Sequence, residues 1–386
     1  MIKALRGMKD ILDEKFLKIF DTTRKIAENY GFSYIETPIL EETSLFKRSV
    51  GESSDIVNKE MYQFIDKGGN DVCLRPEGTA GVVRSFIEHK FDRQATPKRF
   101  WYFGRMFRYE RPQKGRLREF HQFGIESFGE DSIYEDINII SMAADIFDEL
   151  GIDYTLKINS LGCSECMPKY KKKLIDFLNS HKNKLCEDCQ RRITQNPIRT
   201  LDCKNQNCQA ILKDAPKITD NLCEVCQNDF EELKKGLENL GIKYEVDKHL
   251  VRGLDYYTKT TFEFVSDKIG AQSAIAGGGR YDRLVEFLGG KPTPGVGFAI
   301  GIERIMDLVE NTPKRSGIYM GAMVKEAIPF IQKKAKELRI DKKVFVETKP
   351  KSLKAHLKAA DKGMYEKALI VGEDELKKGT FFEKEL

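Results

Sequence analysis

The segment from Arg99 to Gly129 constrains the fold more than any other part of the sequence. It reads RFWYFGRMFRYERPQKGRLREFHQFGIESFG, two runs of alternating apolar and polar residues separated by a polar stretch that contains Pro112 and Gly115. Alternation with a period of two residues is typical of β-strands, and a polar stretch with proline and glycine is typical of the connection between them. The segment therefore predicts a β-hairpin.

One face of this hairpin is predicted to be polar. Neighbouring side chains on a strand point to opposite faces, so Arg108 and Glu110 share a face of the first strand. Gln122, Gly124 and Glu126 share a face of the second strand. An arginine with an amide, carboxylates and a central glycine favours a ligand platform over an ordinary solvated face. The cations of the connecting loop, which suit phosphate groups, are Arg111, Lys114, Arg116 and Arg118.

The run FRYERPQKGRLREFHQFGIE in this hairpin resembles the second signature motif of class II aminoacyl-tRNA synthetases, in the form found in histidyl-tRNA synthetases. The resemblance implies an α+β fold, with an antiparallel sheet flanked by helices. It also implies that L-histidine is activated by ATP, with Mg²⁺ bridging the phosphates, and that the histidyl group is then transferred to tRNA(His).

Two further segments resemble the other class motifs. A predicted helix from Asp13 to Tyr30, a strand from Phe32 to Glu36 and the pair Thr37-Pro38 resemble the first motif. Because that motif lies at the dimer interface in the family, the resemblance implies a homodimer. A strand of small residues from Gly295 to Gly301, followed by a helix predicted from Ile302 to Glu310, resembles the third motif.

Two more segments resemble the parts of the family that bind histidine. RPEGT, ending at Thr79 where a helix is predicted to begin, resembles the segment that holds the amino group of the substrate. The run LVRGLDYYTKTTFEF, from Leu250 to Phe264, resembles the histidine-specific motif. In that motif an arginine approaches the reacting phosphate and a tyrosine lines the imidazole pocket.

The resemblance implies a role for each matching residue. Attack of a carboxylate on the α-phosphorus needs little proton transfer, so positioning and charge neutralisation should dominate. The catalytic residues implied are Arg108 and Arg252. The histidine-binding residues implied are Glu77, Thr79, Gln122, Glu126, Tyr256 and Tyr257. The ATP-binding residues implied are Arg108, Glu110, Arg116 and Arg304, and those expected to meet the acceptor end of the tRNA are Gln113 and Arg118.

Composition and spacing exclude several other classes. The chain has 386 residues, of which 65 are basic, 60 acidic and 40% hydrophobic, as in an ordinary soluble protein. No apolar run approaches the length of a membrane span and the start lacks the apolar core of a signal peptide, so we expect a cytoplasmic location. The glycines of the segments 275–282 and 295–301 have neither Walker A nor dinucleotide-binding spacing, which argues against P-loop and Rossmann sites.

Eight of the nine cysteines lie in a lysine-rich stretch, predicted to be a helical insertion from about Cys163 to Leu240. They form four pairs: Cys163 with Cys166, Cys186 with Cys189, Cys203 with Cys208, and Cys223 with Cys226. Closely spaced thiolates can reach one tetrahedral ion, so four pairs could fill two structural zinc sites. A set of free thiols is the alternative, and the resemblance does not by itself require zinc.

The last part of the chain predicts a separate α/β module from residue 316 to 386, after a catalytic domain of residues 1–312. Its predicted strands are Ser316–Met323, Lys343–Glu347 and Ala368–Val371, and its predicted helices are Lys325–Leu338 and Ser352–Lys362. The module resembles the anticodon-binding domain of the family. Because it ends soon after its third strand, we expect a shortened form of that domain.

Two other functions stay open at this point. A synthetase paralogue serves as a non-acylating regulatory subunit in histidine biosynthesis and is also short at its C-terminus, but it usually lacks motif residues that stand here. A zinc-dependent nucleic-acid-binding protein would account for the cysteines and lysines, but not for the hairpin, the histidine-specific run or the third motif. Histidine activation and transfer therefore remain the main prediction.

Overall fold

The structure, a computed structural model, describes most of the chain. The described residues are 2–51, 54, 56–94, 97–201, 203, 205–251, 254, 256–269, 274–310 and 314–386. Contacts between residues divide the chain into two units, Met1–Glu310 and Asn311–Leu386. The units share no sheet among the described residues, and each has its own hydrophobic core.

The first unit is a mixture of strands and helices. Its strands within the described residues are β1 (Ser33–Tyr34), β2 (Leu40–Glu42), β3 (Tyr62–Ile65), β4 (Asp71–Leu74), β5 (Lys98–Phe107), β6 (Glu119–Phe128), β7 (Thr155–Ser160), β8 (Tyr244–Val246), β9 (Thr258–Val265), β10 (Ala274–Arg280) and β11 (Gly295–Gly301). Its α-helices there are α1 (Lys15–Asn29), α2 (Thr43–Val50), α3 (Thr79–Glu88), α4 (Ile133–Glu149), α5 (Cys166–Ser180), α6 (Glu187–Gln195), α7 (Gln206–Leu212), α8 (Glu224–Asn239), α9 (Leu284–Phe287) and α10 (Ile302–Met306). The helix predicted from Ile302 to Glu310 therefore ends earlier, at Met306.

Eight of these strands form one sheet, in the order β1-β5-β6-β11-β10-β9-β7-β8. Neighbouring strands are antiparallel except at the two edges, where β1 runs parallel to β5 and β8 runs parallel to β7. Helices cover this sheet, so the predicted α+β class with an antiparallel sheet flanked by helices is confirmed. None of the helices in the described part of the chain is long and apolar enough to cross a membrane.

Strands β5 and β6 form the predicted hairpin, with Tyr102 directly opposite Gly124. The prediction that Arg108 and Glu110 belong to the first strand is wrong, because β5 ends at Phe107. The N–H of Glu110 donates to the carbonyl of Arg108, two residues back, at 2.8 Å. This tight turn takes the chain out of the ladder before the connecting loop begins.

One face of the large sheet packs against α1, α4 and α8. Phe123 and Ile125 of β6 point into this core. Gln122, Gly124 and Glu126 consequently lie on the opposite face, as the alternation of the sequence predicted.

Helix α4 shows why the sequence forms this layer. Ile137, Ile140 and Phe147 recur at helical spacing, and all three are buried. The hydroxyl of Ser132 accepts the N–H of Tyr134 at 3.3 Å and caps the start of the helix. Because burial of each large apolar side chain contributes about 1.5–3 kcal/mol, packing against the sheet stabilises this helix more than its cap does.

The other face of the sheet is covered by a different set of elements. Strands β2, β4 and β3 form a small sheet in that order and lead into α3. Val82, Val83 and Phe86 of α3 pack beside Tyr102 and Phe128 in a second hydrophobic cluster. This arrangement places the start of α3 over the polar face of β6.

The segment between β7 and β8 forms helices α5 to α8. Tyr170 and Leu174 belong to a small core formed within this segment. Helix α8 instead packs against α4, with Phe230, Leu233 and Leu237 in the main core. The last helix of the cysteine-rich stretch is therefore anchored to the body of the first unit.

The second unit contains strands β12 (Ile318–Ala322), β13 (Val344–Val346), β14 (Lys367–Val371) and β15 (Phe382–Glu385), and helices α11 (Ile328–Leu338), α12 (Leu353–Lys362) and α13 (Glu373–Lys378). Its sheet has the order β13-β12-β14-β15, with only β15 antiparallel to its neighbour. The sequence analysis missed α13 and β15, which follow the third predicted strand. Strand β15 lacks an apolar alternation since it is an exposed edge strand, held by Lys367, which pairs with Glu383 (2.5 Å) and Glu385 (3.4 Å).

Candidate active site

A cavity of about 170 Å³ lies on the polar face of the large sheet. Strands β6, β10 and β11 form its floor, and the start of α3, the β5–β6 loop and the start of α10 form its walls. The predicted site residues that line it are Glu77, Thr79, Arg108, Glu110, Arg116, Gln122, Glu126, Tyr256, Tyr257 and Arg304. Arg252, predicted to be catalytic, lies outside the described residues.

Two glycines of the floor make room for the side chains of the site. A Cβ atom at Gly124 would lie 2.3 Å from the hydroxyl oxygen of Tyr102, and one at Gly297 would lie 2.3 Å from Oε2 of Glu126. Both distances are too short for non-bonded atoms, so a larger residue would displace Tyr102 at the first position. At Gly297 it would displace both Glu126 and the backbone carbonyl of Ile125, which would lie 2.2 Å away. The glycine in the polar face of β6 is thus needed because the Tyr102 ring lies over it.

Glu77 is held at the N-terminus of α3. Its carboxylate accepts the N–H groups of Thr79 (2.7 Å) and Ala80 (2.9 Å), which would otherwise lack partners in the first turn. Burial raises the pKa of Glu77, although these two N–H groups oppose the rise. The carbonyl of the preceding Pro76 accepts a hydrogen bond from Nε of Arg108 at 2.8 Å. This bond links the segment that carries Glu77 to Arg108.

Glu126 is a second buried carboxylate in the cavity, and the hydroxyl of Tyr281 donates to its Oε2. Burial raises the pKa of Glu126 to about 8; hydrogen bonds from Tyr281 and Thr79 oppose the rise, and repulsion from Glu77 adds to it. A cation or strong hydrogen-bond donor placed between the two carboxylates would stabilise their ionised forms. This end of the cavity is therefore suited to an ammonium group.

Gln122 contributes an acceptor that lacks a partner. Its Oε1 is buried and makes no hydrogen bond within the described residues. A buried acceptor without a donor costs about 1–3 kcal/mol, and such groups in native proteins usually have a reason. Because Gln122 faces the cavity, a donor on a ligand would satisfy it.

Arginines line the other end of the cavity. Nε of Arg116 lies 2.7 Å from Oε2 of Glu110, and a terminal nitrogen of Arg108 lies 4.0 Å from Oε1 of the same carboxylate. The guanidinium of Arg108 also lies over the ring of Phe120, 5.4 Å from its centroid. One buried carboxylate thus faces two guanidinium groups.

Arg304 adds a third guanidinium to this end. It donates to the carbonyls of Gly115 (3.2 Å) and Ala274 (2.8 Å). In the part of the chain that the structure describes, no carboxylate lies within ion-pair distance of it. Burial, and then the positive charges of Arg116 and Arg108, lower the pKa of Arg304. Three guanidinium groups with one carboxylate are suited to a multiply charged anion.

The two residues predicted to contact tRNA lie outside the cavity lining. Gln113 is exposed in the β5–β6 loop, where its backbone pairs with that of Arg116. The guanidinium of Arg118 lies over the ring of Tyr109, 3.7 Å from its centroid, and its Nε donates to the carbonyl of Glu110 at 3.0 Å. Arg118 therefore holds the loop that carries Glu110 as well as presenting a charge beside it.

Three residues that the sequence analysis missed also shape the site. Tyr102 covers Gly124, and Tyr281 holds Glu126. The Glu303 carboxylate accepts the backbone N–H of His121 at 2.9 Å and fixes α10 against β6. The sequence around Tyr281 reads GGGRYD, and this run does not indicate which carboxylate the tyrosine hydroxyl would bind.

The cysteines of the insertion assemble into two groups in the first unit. One group contains Cys163, Cys166, Cys223 and Cys226, and the other contains Cys186, Cys189, Cys203 and Cys208. Within each group all four sulfur atoms lie within 4.8 Å of one another, an arrangement that could hold a metal ion. The first and last pairs of the sequence thus combine, as do the two middle pairs.

Known proteins resemble this chain along its whole length. Residues 7–305 match the family model described as histidyl-tRNA synthetase. A histidine--tRNA ligase of a Nitratiruptor species is 63% identical over 389 residues, which cover 100% of this chain and 96% of the relative. The crystal structure of apo S. aureus histidyl-tRNA synthetase has a TM-score of 0.81 and 33% identity, and the match covers 100% of this chain and 97% of that one.

A further solved structure, described as an ATP phosphoribosyltransferase regulatory subunit/histidyl-tRNA synthetase from Bacillus halodurans C, has a TM-score of 0.68. It is 20% identical, and the match covers 96% of this chain and 98% of that one. At this identity the likeness supports the fold alone. It therefore does not separate a regulatory chain from a catalytic one.

The antiparallel sheet, with a cavity that is acidic at one end and rich in arginine at the other, defines a catalytic unit of the class II aminoacyl-tRNA synthetases. Within that class, the chain belongs to the histidyl-tRNA synthetase family. The resemblance that the sequence motifs carried is thereby confirmed.

Proposed function

We propose that this chain is a histidine--tRNA ligase, which activates L-histidine with ATP and transfers the histidyl group to tRNA(His). The observation that carries the proposal is the division of one cavity into an end with two buried carboxylates and an end with three guanidinium groups. Relatives that are 56–63% identical over the whole chain are histidine--tRNA ligases, which favours this function over the regulatory paralogue and over a zinc protein without catalysis.

Histidine is proposed to bind at the acidic end. Its ammonium group fits between Glu77 and Glu126, and the free acceptor Oε1 of Gln122 is suited to a donor on the substrate. The other residues proposed for this end are Thr79, Tyr256 and Tyr257, which line the same part of the cavity. Polar groups arranged around an imidazole reject analogues that leave them unpaired, so no editing step is needed.

ATP is proposed to bind at the arginine end, with Glu110 and Arg116 placing the nucleotide. Arg108, which lies next to the segment carrying Glu77, is proposed to contact the α-phosphate. Arg252 is proposed to contact the same phosphate, on the basis of the histidine-specific motif. Arg304 is proposed to contact the terminal phosphates. Carboxylate oxygens are ligands that Mg²⁺ prefers, and Glu110 offers one at this end. Mg²⁺ bound with ATP would add positive charge to the phosphates.

The reaction is an in-line attack of the histidine carboxylate on the α-phosphorus, with pyrophosphate as the leaving group. The chain supplies positioning and positive charge, because the new negative charge develops on phosphate oxygens next to Arg108. No side chain is required to take a proton in this step. The two ends of the cavity hold the two reactants so that the carboxylate of one meets the phosphate of the other.

The remaining assignments concern the tRNA and the assembly. Gln113 and Arg118 of the β5–β6 loop are proposed to meet the acceptor end of the tRNA, and residues 316–386 are proposed to form an anticodon-binding-like domain. A homodimer is proposed because several large apolar side chains near the first motif are exposed, among them Leu17, Tyr34 and Leu40. A cytoplasmic location is proposed because the tRNA substrate is found there.

Any zinc in the cysteine groups is proposed to be structural. A site closed by four thiolates has no open position for a substrate or water, so it contributes folding energy instead of catalysis. The catalytic domain is proposed to span residues 1–312, with the cysteine-rich insertion at about 163–240.

Histidine-dependent exchange of pyrophosphate into ATP by the purified 386-residue chain tests the proposal. Exchange with histidine and with no other amino acid is the expected result. No exchange, with histidine still bound, would contradict the ligase and favour the regulatory function. Acylation of tRNA(His), measured in parallel, tests the second step, and charge reversal at Arg118 is expected to reduce acylation while exchange continues.

A further inference from the structure

The two cysteine groups have the dimensions of four-thiolate metal sites. We call the group formed by Cys163, Cys166, Cys223 and Cys226 the base site, because its ligands lie at the two ends of the insertion. Two of its sulfur–sulfur distances are 3.7 and 3.8 Å. Zinc–sulfur bonds of about 2.3 Å in a tetrahedron place the sulfur atoms about 3.8 Å apart. The sulfurs therefore already have the separation that a zinc ion requires.

The second group, formed by Cys186, Cys189, Cys203 and Cys208, we call the inner site. Sγ of Cys186 lies 3.8 Å from Sγ of Cys203, the same tetrahedral edge. These distances far exceed the S–S bond of about 2.05 Å, so neither group is a set of disulfides. Four thiols brought together twice, with the same separation, are better explained by an ion at each centre than by chance.

Backbone N–H groups point at the sulfur atoms of both sites. The N–H of Cys223 donates to Sγ of Cys166 at 3.0 Å in the base site, and the N–H of Cys186 donates to Sγ of Cys208 at 3.2 Å in the inner site. Bonds of this kind orient metal ligands and stabilise the negative charge of thiolates. Zinc binding releases the thiol protons, so these donors favour the bound state.

The packing around the inner site shows what its ion would do. Cys189, Cys203 and Cys208 belong to the small core of the insertion, which is built from short helices. A core of this size rarely suffices by itself, and small domains often rely on a metal. The inner site would therefore hold the insertion together.

The base site is connected to the histidine end of the active site. The N–H of Leu161 donates to the carbonyl of Lys259 at 2.7 Å, and the N–H of Lys259 donates to the carbonyl of Gly162 at 2.8 Å. Nζ of Lys259 also lies 3.6 Å from Asp229 of α8. Lys259 is thus held both by Leu161 and Gly162, which directly precede Cys163, and by α8, which carries Cys226. Lys259 lies two positions after Tyr257, and its φ of 45° is left-handed, a conformation that non-glycine residues adopt in only a few per cent of cases.

We propose that the insertion binds two zinc ions with different tasks. The ion at the inner site stabilises the fold of the insertion. The ion at the base site fixes the start of β9, and through it the tyrosines that line the histidine end of the cavity. The activity part of this inference rests on the proposed function, whereas the metal part does not.

Metal content of the purified full-length chain, measured by elemental analysis, is the first test. Two zinc ions per chain are expected. Cys226→Ser and Cys189→Ser are a matched pair, since each replaces the third residue of a helix preceded by a cysteine at its N-cap, and each variant is expected to keep one ion. Cys73→Ser, outside both groups, is expected to keep two. Fewer than two zinc ions in the unmodified chain would overturn the inference.

Pyrophosphate exchange separates the two sites. Cys226→Ser is expected to raise the KM for histidine about 3- to 30-fold while the KM for ATP stays within about twofold. Cys189→Ser is expected to leave both constants within about twofold and to lower the unfolding temperature. Cys226→His keeps a zinc ligand and is expected to restore the second ion and most of the histidine affinity. Equal losses of histidine affinity in the two serine variants would contradict the division of tasks.

The outcomes also distinguish this inference from the proposed function. A chain that exchanges pyrophosphate with histidine but contains no zinc would overturn the inference alone. A chain with two zinc ions and no exchange would overturn the ligase and leave the metal sites standing. If Cys226→Ser does not fold, cobalt incorporated in place of zinc decides the metal part. Two tetrahedral cobalt–thiolate centres per chain, seen in the visible spectrum, support it, and none would refute it.

Discussion

Two arginines of the first unit lie in opposite surroundings. Arg280 is almost fully buried, and its five N–H groups all have acceptors. Nε and one terminal nitrogen donate to Asp136, with Nε–Oδ2 at 2.9 Å. The other acceptors are the carbonyls of Glu130 (2.9 Å) and Ser132 (3.0 Å) and a carboxylate oxygen of Asp282 (3.3 Å). Burial alone would lower the pKa of Arg280, but the Asp136 carboxylate raises it above its usual value.

Arg304 has no carboxylate at ion-pair distance within the described residues. It donates to two backbone carbonyls, faces two other arginines, and has a lowered pKa. A structural charge and a functional charge thus differ in where their counter-charge comes from. Where every donor is satisfied within the chain, the arginine serves the fold. Where the arginines that line a cavity outnumber the carboxylates beside them, a negatively charged ligand is expected to neutralise the excess positive charge.

The largest effect is expected when the satisfied pair is broken. Asp136→Ala leaves the Arg280 charge buried without its partner, which costs about 3–5 kcal/mol in the free energy of unfolding. Urea unfolding followed by circular dichroism measures this loss. Asp136→Leu combined with Arg280→Met removes both charges and should cost clearly less. A fall of less than about 1 kcal/mol in the free energy of unfolding of Asp136→Ala would show that water or another group can replace Asp136 as the partner of Arg280. Arg280 would then not differ from Arg304 as a structural charge.

The reverse pattern is expected at Arg304. Arg304→Ala should lower the turnover of pyrophosphate exchange about 10²- to 10³-fold, because one positive group facing the transferred phosphates is lost. The free energy of unfolding should fall clearly less than in Asp136→Ala, since within the described residues Arg304 forms two hydrogen bonds to carbonyls and no ion pair. Arg304→Lys keeps the positive charge but not the planar guanidinium group. Its turnover should therefore lie between that of the unmodified chain and that of Arg304→Ala. An Arg304→Ala protein that unfolds readily but retains its turnover would place this arginine with Arg280.

A smaller effect, dependent on pH, is expected at the acidic end of the cavity. The pKa of Glu126 is about 8 in the folded chain, against a usual value of 4.5. The folded state therefore keeps a proton that the unfolded chain releases. The resulting stability is fully present below pH 4.5 and is lost as the pH rises through 8, by on the order of a few kcal/mol.

Glu126→Gln cannot titrate, so its unfolding temperature should fall less than that of the unmodified chain between pH 5 and pH 9. Thermal unfolding of both proteins over this range measures the difference. Histidine should stabilise the unmodified chain more at the upper end of the range, because its ammonium group pairs with the ionised carboxylate. If the unfolding temperatures of the two proteins fell in parallel with pH, Glu126 would ionise as it does in the unfolded chain. It would then give no reason to expect an ammonium group beside it.

Local patterns in the sequence predicted much of this architecture. Strand alternation requires only neighbouring residues, so the hairpin and the shared face of Gln122 and Glu126 could be predicted from the sequence alone. The helix predicted from Asp13 to Tyr30 is likewise present as α1, Lys15–Asn29. The motifs placed residues such as Glu77 and Arg304 in one site, although they come from distant segments, because the resemblance carried information that spacing alone does not.

Pairings between distant segments could not be predicted in the same way. Arg280 and Asp136 are 144 residues apart, and Tyr281 and Glu126 are 155 apart. Nothing local to either segment indicates its partner, since each pairing depends on the order of strands in the sheet. The position of Tyr102 over Gly124 likewise depends on the register of β5 against β6. The site residues that were missed are thus those that position other residues.

The smallest effect is expected from an ion pair on the surface. A terminal nitrogen of Arg191 lies 2.7 Å from Oδ1 of Asp188 in α6, and the side chains of this pair are 53% and 57% exposed, whereas the Arg280–Asp136 pair is buried. Water solvates both partners when the pair is broken, so Arg191→Ala should change the free energy of unfolding by less than about 0.5 kcal/mol. Urea unfolding of Arg191→Ala and Asp136→Ala side by side tests this directly, because both pairs are in direct contact and only one of them is buried. If Arg191→Ala cost as much as Asp136→Ala, pairing without burial would explain the stability of the Arg280–Asp136 pair, and the absence of a carboxylate beside Arg304 in the described residues would no longer indicate a ligand.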